Sequence, residues 1–437
     1  MTDRYARSRT NFDQAKRSLA GGVATAFRTA QLPVPITFES GHGAHLTDVD
    51  GNEYVDYALG FGPLLLGHSP APVLEAMRRQ LDRGLGFGAS HPLEKQLAEA
   101  VCRTVPSAEL CIFSSTGTEA VQAAIRVART ATQRNRIVKF LGHYHGWADS
   151  VYVGVSPQTA HLPATGGEDP AASTAVTVCP WNDIEALANV LSDDVAGVIM
   201  EPAAINCGGL TPGAGYLEAV RDMTTRSGSI LIFDEVITGY RLGLGGAQEL
   251  YGVLPDLTVL GKALGSGLPI SAVCGRADVM KVVADGRVGH VGTFNANPIC
   301  ASAALAAVEE FEKHASELYP KVSALGRQLA ELLMAAGRGA GIPITVNQIG
   351  AAAYAFASSE PVKTYLDTLN TDEALYRRFA QALLDEGVHV IPRGLLYVSA
   401  AHTEADLEFT YEAAKRAASR VARDLELATT GARRDVS

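Results

Sequence analysis

Cysteine is scarce in this chain and never clustered: the six residues at 102, 111, 179, 207, 274 and 300 stand singly. That spread leaves no disulfide framework and no thiol-based zinc site to build, so no metal is expected and the thiols read as reduced and mostly buried, in a cytoplasmic protein. Long apolar runs are missing as well. The longest stretch of small apolar residues, Ile299 to Val308, is broken by Ser302 and stops at Glu309-Glu310, short of the ~20 residues that span a bilayer. Positive charge is not in excess: 37 Lys and Arg against 47 Asp and Glu give a net charge of −10, without the basic field that nucleic acid or an anionic membrane attracts. The first residues, Met1-Thr2-Asp3-Arg4-Tyr5-Ala6-Arg7, carry charges where a secretion signal has its apolar core, and Asp3 and Asp13 speak against an import peptide.

What is present is an ordered, apolar-rich sequence. With 437 residues, 47% of them hydrophobic and 19% charged, the chain is too long for one typical core and divides by expectation into two or three domains. Residues 1–55 read as a helix followed by a small sheet, with Asp50-Gly51 turning between Ala44–Asp48 and Tyr54–Tyr57. Over 56–298, apolar runs such as Leu110–Phe113, Arg136–Phe140, Ala196–Met200, Ser229–Phe233 and Leu257–Leu260 alternate with helical stretches, including 119–130 and 213–227. Short two-sided apolar strands separated by helices predict an α/β domain whose mostly parallel sheet is covered on both faces. Over 299–437 the pattern predicts a smaller α+β domain: a helix over 372–386 after Asn370-Thr371, strands at His389–Ile391 and Leu396–Ser399, a last helix from Thr403, and a frayed tail over 428–437.

Two segments carry the chemistry. Asp234 ends the run Ile230–Phe233, and Lys262 follows Leu257–Leu260 twenty-eight positions later. A carboxylate after four apolar residues is costly unless it meets a cation. A lone lysine past a strand reads by itself as a surface residue in a Gly-rich turn. Together they suit pyridoxal phosphate: a desolvated lysine amine forms a Schiff base with the aldehyde, and the aspartate keeps the ring nitrogen protonated.

Other residues gather around this pair. Ser115-Thr116-Gly117-Thr118-Glu119 lies between a strand and a helix, with capping-box spacing from Thr116 to Glu119. Its hydroxyls and free amides suit a phosphate, though an ordinary capped turn has the same composition. Tyr144 follows the strand ending at Phe140 and can cover a cofactor ring or merely the core edge. Glu201 and Asn206 follow the strand Val198–Met200, where a parallel sheet places its ligand crevice; Glu201 also fits a solvated strand end. Thr293, ahead of Asn297-Pro298, offers one more phosphate donor.

In this order, Thr116-Gly117-Thr118-Glu119-Ala120, Tyr144-His145-Gly146, Glu201-Pro202, Asp234-Glu235-Val236 with Thr238-Gly239-Tyr240-Arg241, Gly261-Lys262, and Gly292-Thr293 with Asn297-Pro298 resemble class III aminotransferases of fold type I. The resemblance implies Lys262 as Schiff-base lysine (the internal aldimine) and proton carrier, with Asp234 on the pyridinium. Val236 would pack opposite Tyr144, phosphate contacts would come from Thr116, Gly117 and Thr118, and Thr293 would act from the neighbouring subunit of a homodimer. Arg28 matches the position that holds a substrate carboxylate, for which an arginine fork is suited. Within the class the chain is similar to glutamate-1-semialdehyde aminomutases and to D-phenylglycine and β-phenylalanine aminotransferases. Phe61 stands where the mutases have tryptophan, and the short segment Pro392-Arg393-Gly394-Leu395, with Arg393 as a second substrate arginine, resembles the latter two.

The expectation is therefore an aminotransferase moving an amino group from a small amine donor to an oxo-acid. An aminomutase or epimerase using the same residues is the second reading. A nucleotide-binding module without covalent chemistry is the third, and it leaves Asp234 and Lys262 unexplained.

Overall fold

The N-terminal residues form a short helix, Ala6–Ala15, then two single 3-10 turns, Ala20–Gly22 and Ala26–Ala30. An antiparallel sheet follows: β1 (Phe38–His42), β2 (His45–Asp48) and β3 (Glu53–Asp56). Its tight turn uses Gly51 at φ 84, and the Asp48 carboxylate accepts from the amides of Asp50 and Asn52 at 3.0 and 2.8 Å. The computed structural model describes residues 3–156 and 164–434. Its chain separates into two units, one built from residues 1–61, 66–70 and 321–437, the other from 62–65 and 71–320.

The second unit holds seven strands: β4 (Leu110–Ser114), β5 (Arg136–Phe140), β6 (Val176–Cys179), β7 (Val195–Met200), β8 (Ile230–Asp234), β9 (Leu257–Leu260) and β10 (Ser271–Gly275). They are ordered β4-β10-β9-β8-β7-β5-β6. β10 runs antiparallel to both its neighbours, and the pairs β5–β6, β5–β7, β7–β8 and β8–β9 are parallel. Every residue of β7, β9 and β10 is buried, which is why these strands are uniformly apolar or small instead of alternating. The helix Gly117–Thr132 lays Ala120, Ala124, Val127 and Ala128 into the core shared with Ile199, Ile232 and Val259. The expected boundary at 298/299 is displaced: helix Pro298–Lys313 packs on helices Ala71–Leu81 and Pro92–Thr104, so the division falls at 320/321.

In the first unit, β11 (Ile344–Ile349), β12 (Ala352–Ala357) and β14 (Leu395–Tyr397) form an antiparallel sheet, while β13 (Val388–His389) joins the N-terminal sheet. The strand expected at His389–Ile391 is thus shorter and pairs parallel to β3, in the register Val388↔Val55 and His389↔Asp56. Helices Glu373–Asp385 and Glu404–Arg434 cover these sheets through Phe379, Leu383, Ala414 and Ala418. Asp372, not Asn370 or Thr371, caps the first, its carboxylate accepting from Leu375 N–H at 2.9 Å. The last helix runs on to Arg434 where a frayed tail was expected from 428; residues 435–437 lie outside those described. Among the described residues no helix is long and apolar enough to cross a membrane.

Candidate active site

Strands β4, β5, β7, β8 and β9 point the same way; Thr116, Tyr144, Glu201 and Lys262 follow the carboxyl ends of β4, β5, β7 and β9, and Asp234 is the last residue of β8. This is the edge at which an open parallel sheet presents its ligand crevice.

After β4 the chain enters a helix through a complete capping box. The Thr116 hydroxyl accepts from Glu119 N–H at 3.3 Å, and Glu119 Oε2 accepts from the amides of Thr116 and Ser115, both at 2.9 Å. Glu119 thereby occupies two amides of the turn, leaving those of Gly117 and Thr118, in the first helical turn, for an external acceptor. A Cβ on Gly117 would come within 3.4 Å of Val236, and one on Gly261 would do the same, so Val236 lies against both glycines. Gly146 sits at φ 88, and a Cβ there would fall 2.5 Å from Thr118 Oγ1. The loop after β5 therefore lies directly on the Thr116–Thr118 turn.

The buried Asp234 spends one oxygen on each of two partners. Oδ2 lies 2.7 Å from His145 Nδ1, and Oδ1 accepts from Val236 N–H at 3.1 Å. His145 is completely enclosed; burial holds its imidazole below the usual range while Asp234 pulls it back up. Glu201, also buried, accepts from Tyr144 N–H at 2.8 Å and Asn206 N–H at 3.4 Å. Burial first and the Asp234 charge second push its carboxyl up to about 8, against the smaller downward pull of the Lys262 ammonium. Asp234, Glu201 and Lys262 thus share one electrostatic neighbourhood. Lys262 is half-buried at φ 43, a left-handed backbone that a side-chain-bearing residue adopts at a cost of order 1–3 kcal/mol, characteristic of functional sites.

Thr293 is exposed, between Val291 and Phe294 at 89% and 68% exposure, and among the described residues no hydrogen bond joins it to the Thr116–Thr118 turn. The substrate candidates lie in the first unit. Arg28, Phe61 and Arg393 line a single cavity of about 690 Å³, together with Phe27, Arg377 and His389. Sequence reasoning gave His145 no role of its own, because its partner stands 89 positions away; a histidine directly after Tyr144 was the available signal.

The family model for aminotransferase class-III matches residues 26–413. The chain belongs to that family. Its members depend on pyridoxal 5'-phosphate and share fold type I, and the residues here fit that group: unspent amides and hydroxyls for a phosphate, an enclosed carboxylate for a ring nitrogen, and a strained lysine. The chain is similar to glutamate-1-semialdehyde 2,1-aminomutase 2 of Bacillus pumilus, 40% identical over 424 residues, covering 94% of this chain and 97% of that one. Among solved structures it resembles an omega-transaminase from Sphaerobacter thermophilus (TM-score 0.89, 33% identity, 95% and 98% coverage). It also resembles a β-phenylalanine aminotransferase from Variovorax paradoxus (TM-score 0.84, 29% identity, 95% and 94% coverage). This class III chain therefore has relatives of both reaction types.

Proposed function

We propose that the protein is an aminotransferase that moves an amino group between an amine bearing a carboxylate on an apolar body, such as an aromatic or β-amino acid, and an oxo-acid. The cavity in the first unit carries this reading. Its walls include Phe12, Phe27, Phe38, Phe61 and Ile391, and its charged lining is three arginines against one carboxylate, Asp56, already committed to two histidines. Arg28 and Arg393 receive the carboxylate, and Phe27 and Phe61, with ring centroids 6.4 Å apart, receive the apolar body.

The bound cofactor supplies an electron sink for the pair left when a bond to the substrate's Cα breaks. Thr116, Gly117 and Thr118 bind its phosphate, Asp234 faces its ring nitrogen, and Tyr144 and Val236 take its two faces. Glu201 and Asn206 hold the loops that border it. Lys262 Nζ carries the proton to and from Cα. Thr293, on its exposed segment with Phe294, serves the partner subunit's phosphate site in a homodimer. Six free cysteines suit the reducing conditions of the cytoplasm.

Incubation with an aromatic or β-amino acid and an oxo-acid, followed by product analysis, tests the proposal; the expected result is an amino group appearing on the oxo-acid. The aminomutase relatives, 37–40% identical over more than nine-tenths of the chain, favour a second reading. It is the correct one if a single substrate is isomerised without any oxo-acid.

A further inference from the structure

The turn that carries Arg28, Ala26–Ala30, contains no buried residue, and Phe27 within it is 60% exposed. Apolar burial therefore does not fix the position of the arginine. Gln31 closes the turn, its backbone N–H donating to the carbonyl of Arg28 at 3.4 Å. Its side-chain amide is engaged at both ends. The oxygen accepts from Ile36 N–H at 3.1 Å, and the nitrogen lies 2.7 Å from His389 Nε2.

The contact with Ile36 sets the amide's orientation, because only its oxygen can accept. The nitrogen then donates, so His389 Nε2 must be the acceptor, and the ring proton sits on Nδ1, 2.8 Å from Asp56 Oδ1. Asp56 is fully buried and accepts in addition from His68 Nε2 at 2.7 Å and from the amides of Ala58 and Leu59 at 2.9 and 3.1 Å. A continuous donor–acceptor chain thus runs from the paired strands β3 and β13 through His389 to the side-chain amide of Gln31, the residue whose backbone N–H closes the arginine's turn. Among the described residues no carboxylate pairs with Arg28 itself.

We infer that Gln31, anchored by His389 and Asp56, is a positioning residue for Arg28 and so determines how strongly the cavity prefers a carboxylate. The inference rests on the role proposed above for Arg28.

The test is calorimetric titration of the intact protein with two probes, 3-phenylpropanoate and its uncharged counterpart 3-phenylpropanol. Wild type is expected to prefer the acid. Gln31→Met, close in volume but unable to hold His389 or Ile36, is expected to weaken the acid roughly tenfold with little change for the alcohol. In an Arg28→Ala background the same substitution is expected to change nothing further. His389→Phe reproduces the loss; should it not fold, the Gln31→Met cycle carries the test alone. Equal weakening of acid and alcohol, or an undiminished effect without Arg28, would overturn the inference while leaving the carboxylate reading intact. A wild type that binds the two probes alike would overturn the carboxylate reading itself, and this inference with it.

Discussion

His145 Nδ1 lies 2.7 Å from Asp234 Oδ2, and both side chains are buried. The contact points one carboxylate oxygen and keeps the imidazole's proton on the nitrogen that faces it. Replacing His145 by Ala leaves that oxygen without its partner, and supporting groups of this kind are worth roughly 10–100-fold in activity. The expected outcome is a loss of that size in kcat, with a shift in the visible absorbance of the cofactor-bound enzyme. His145→Asn, which retains a donor, should recover part of both.

Lys262 is expected to be indispensable. Purified enzyme should show a visible band that borohydride bleaches, and Lys262→Ala should abolish both the bleaching and turnover. Bleaching that survives in the variant would move the covalent role to another amine.

Glu201 makes folding stability depend on pH. Its carboxyl is raised to about 8 in the native state, against 4.5 as its ordinary value, so the folded protein binds the proton more tightly than the unfolded chain. This contribution is fully present below about 4.5 and drains away as pH rises towards 8, by at most a few kcal/mol. Urea midpoints of the cofactor-stripped protein should fall between pH 5 and pH 8, and Glu201→Gln should flatten that fall. Parallel profiles for the two proteins would refute the assignment.

Gly146→Ala should weaken cofactor binding more than it weakens folding. Its φ of 88 already disfavours a side chain, and the new methyl would press on Thr118, in the turn proposed to bind the phosphate. Cofactor affinity measured by reconstitution is expected to drop at least tenfold, with melting of the cofactor-free protein lowered by only about 1–2 kcal/mol equivalent. Equal losses in both would mean that the loop does not press on the phosphate turn.

The parallel part of the sheet was readable because its strands announce themselves. Val195–Met200 has no polar residue, and burial on both faces permits nothing else. The capping box at Thr116 and Glu119 was readable because it is local, three residues wide. What escaped is set by distance along the chain. The antiparallel sense of β10 follows from its neighbours' register, which no local pattern encodes. β13 was read only as a strand of the C-terminal domain, yet it pairs parallel with a partner at the other end of the sequence. Lys139 sits within a run read only as apolar, and it is entirely buried because its amine donates to the carbonyls of Val151 and Val153 at 2.8 and 2.7 Å. Burial pushes that ammonium down to about 7. Of the cavity's lining, Arg28, Phe61 and Arg393 came from resemblance, whereas Gln31 and His389, 358 positions apart, become visible as partners only once the chain has folded.

The pairing of β3 with β13 has a consequence for biosynthesis. His389 meets Asp56 across 333 residues, so at 5–20 residues per second the ribosome takes roughly 15–70 s to deliver the matching strand. Throughout that interval the nascent N-terminal hairpin carries an unpaired edge, open to pairing with another chain. The seven-stranded sheet, whose strands all fall between Leu110 and Gly275, can close before translation ends. Maturation is thus ordered in time, and the turn that carries Arg28 gains its tie to His389 only after the strands of the second unit have been made.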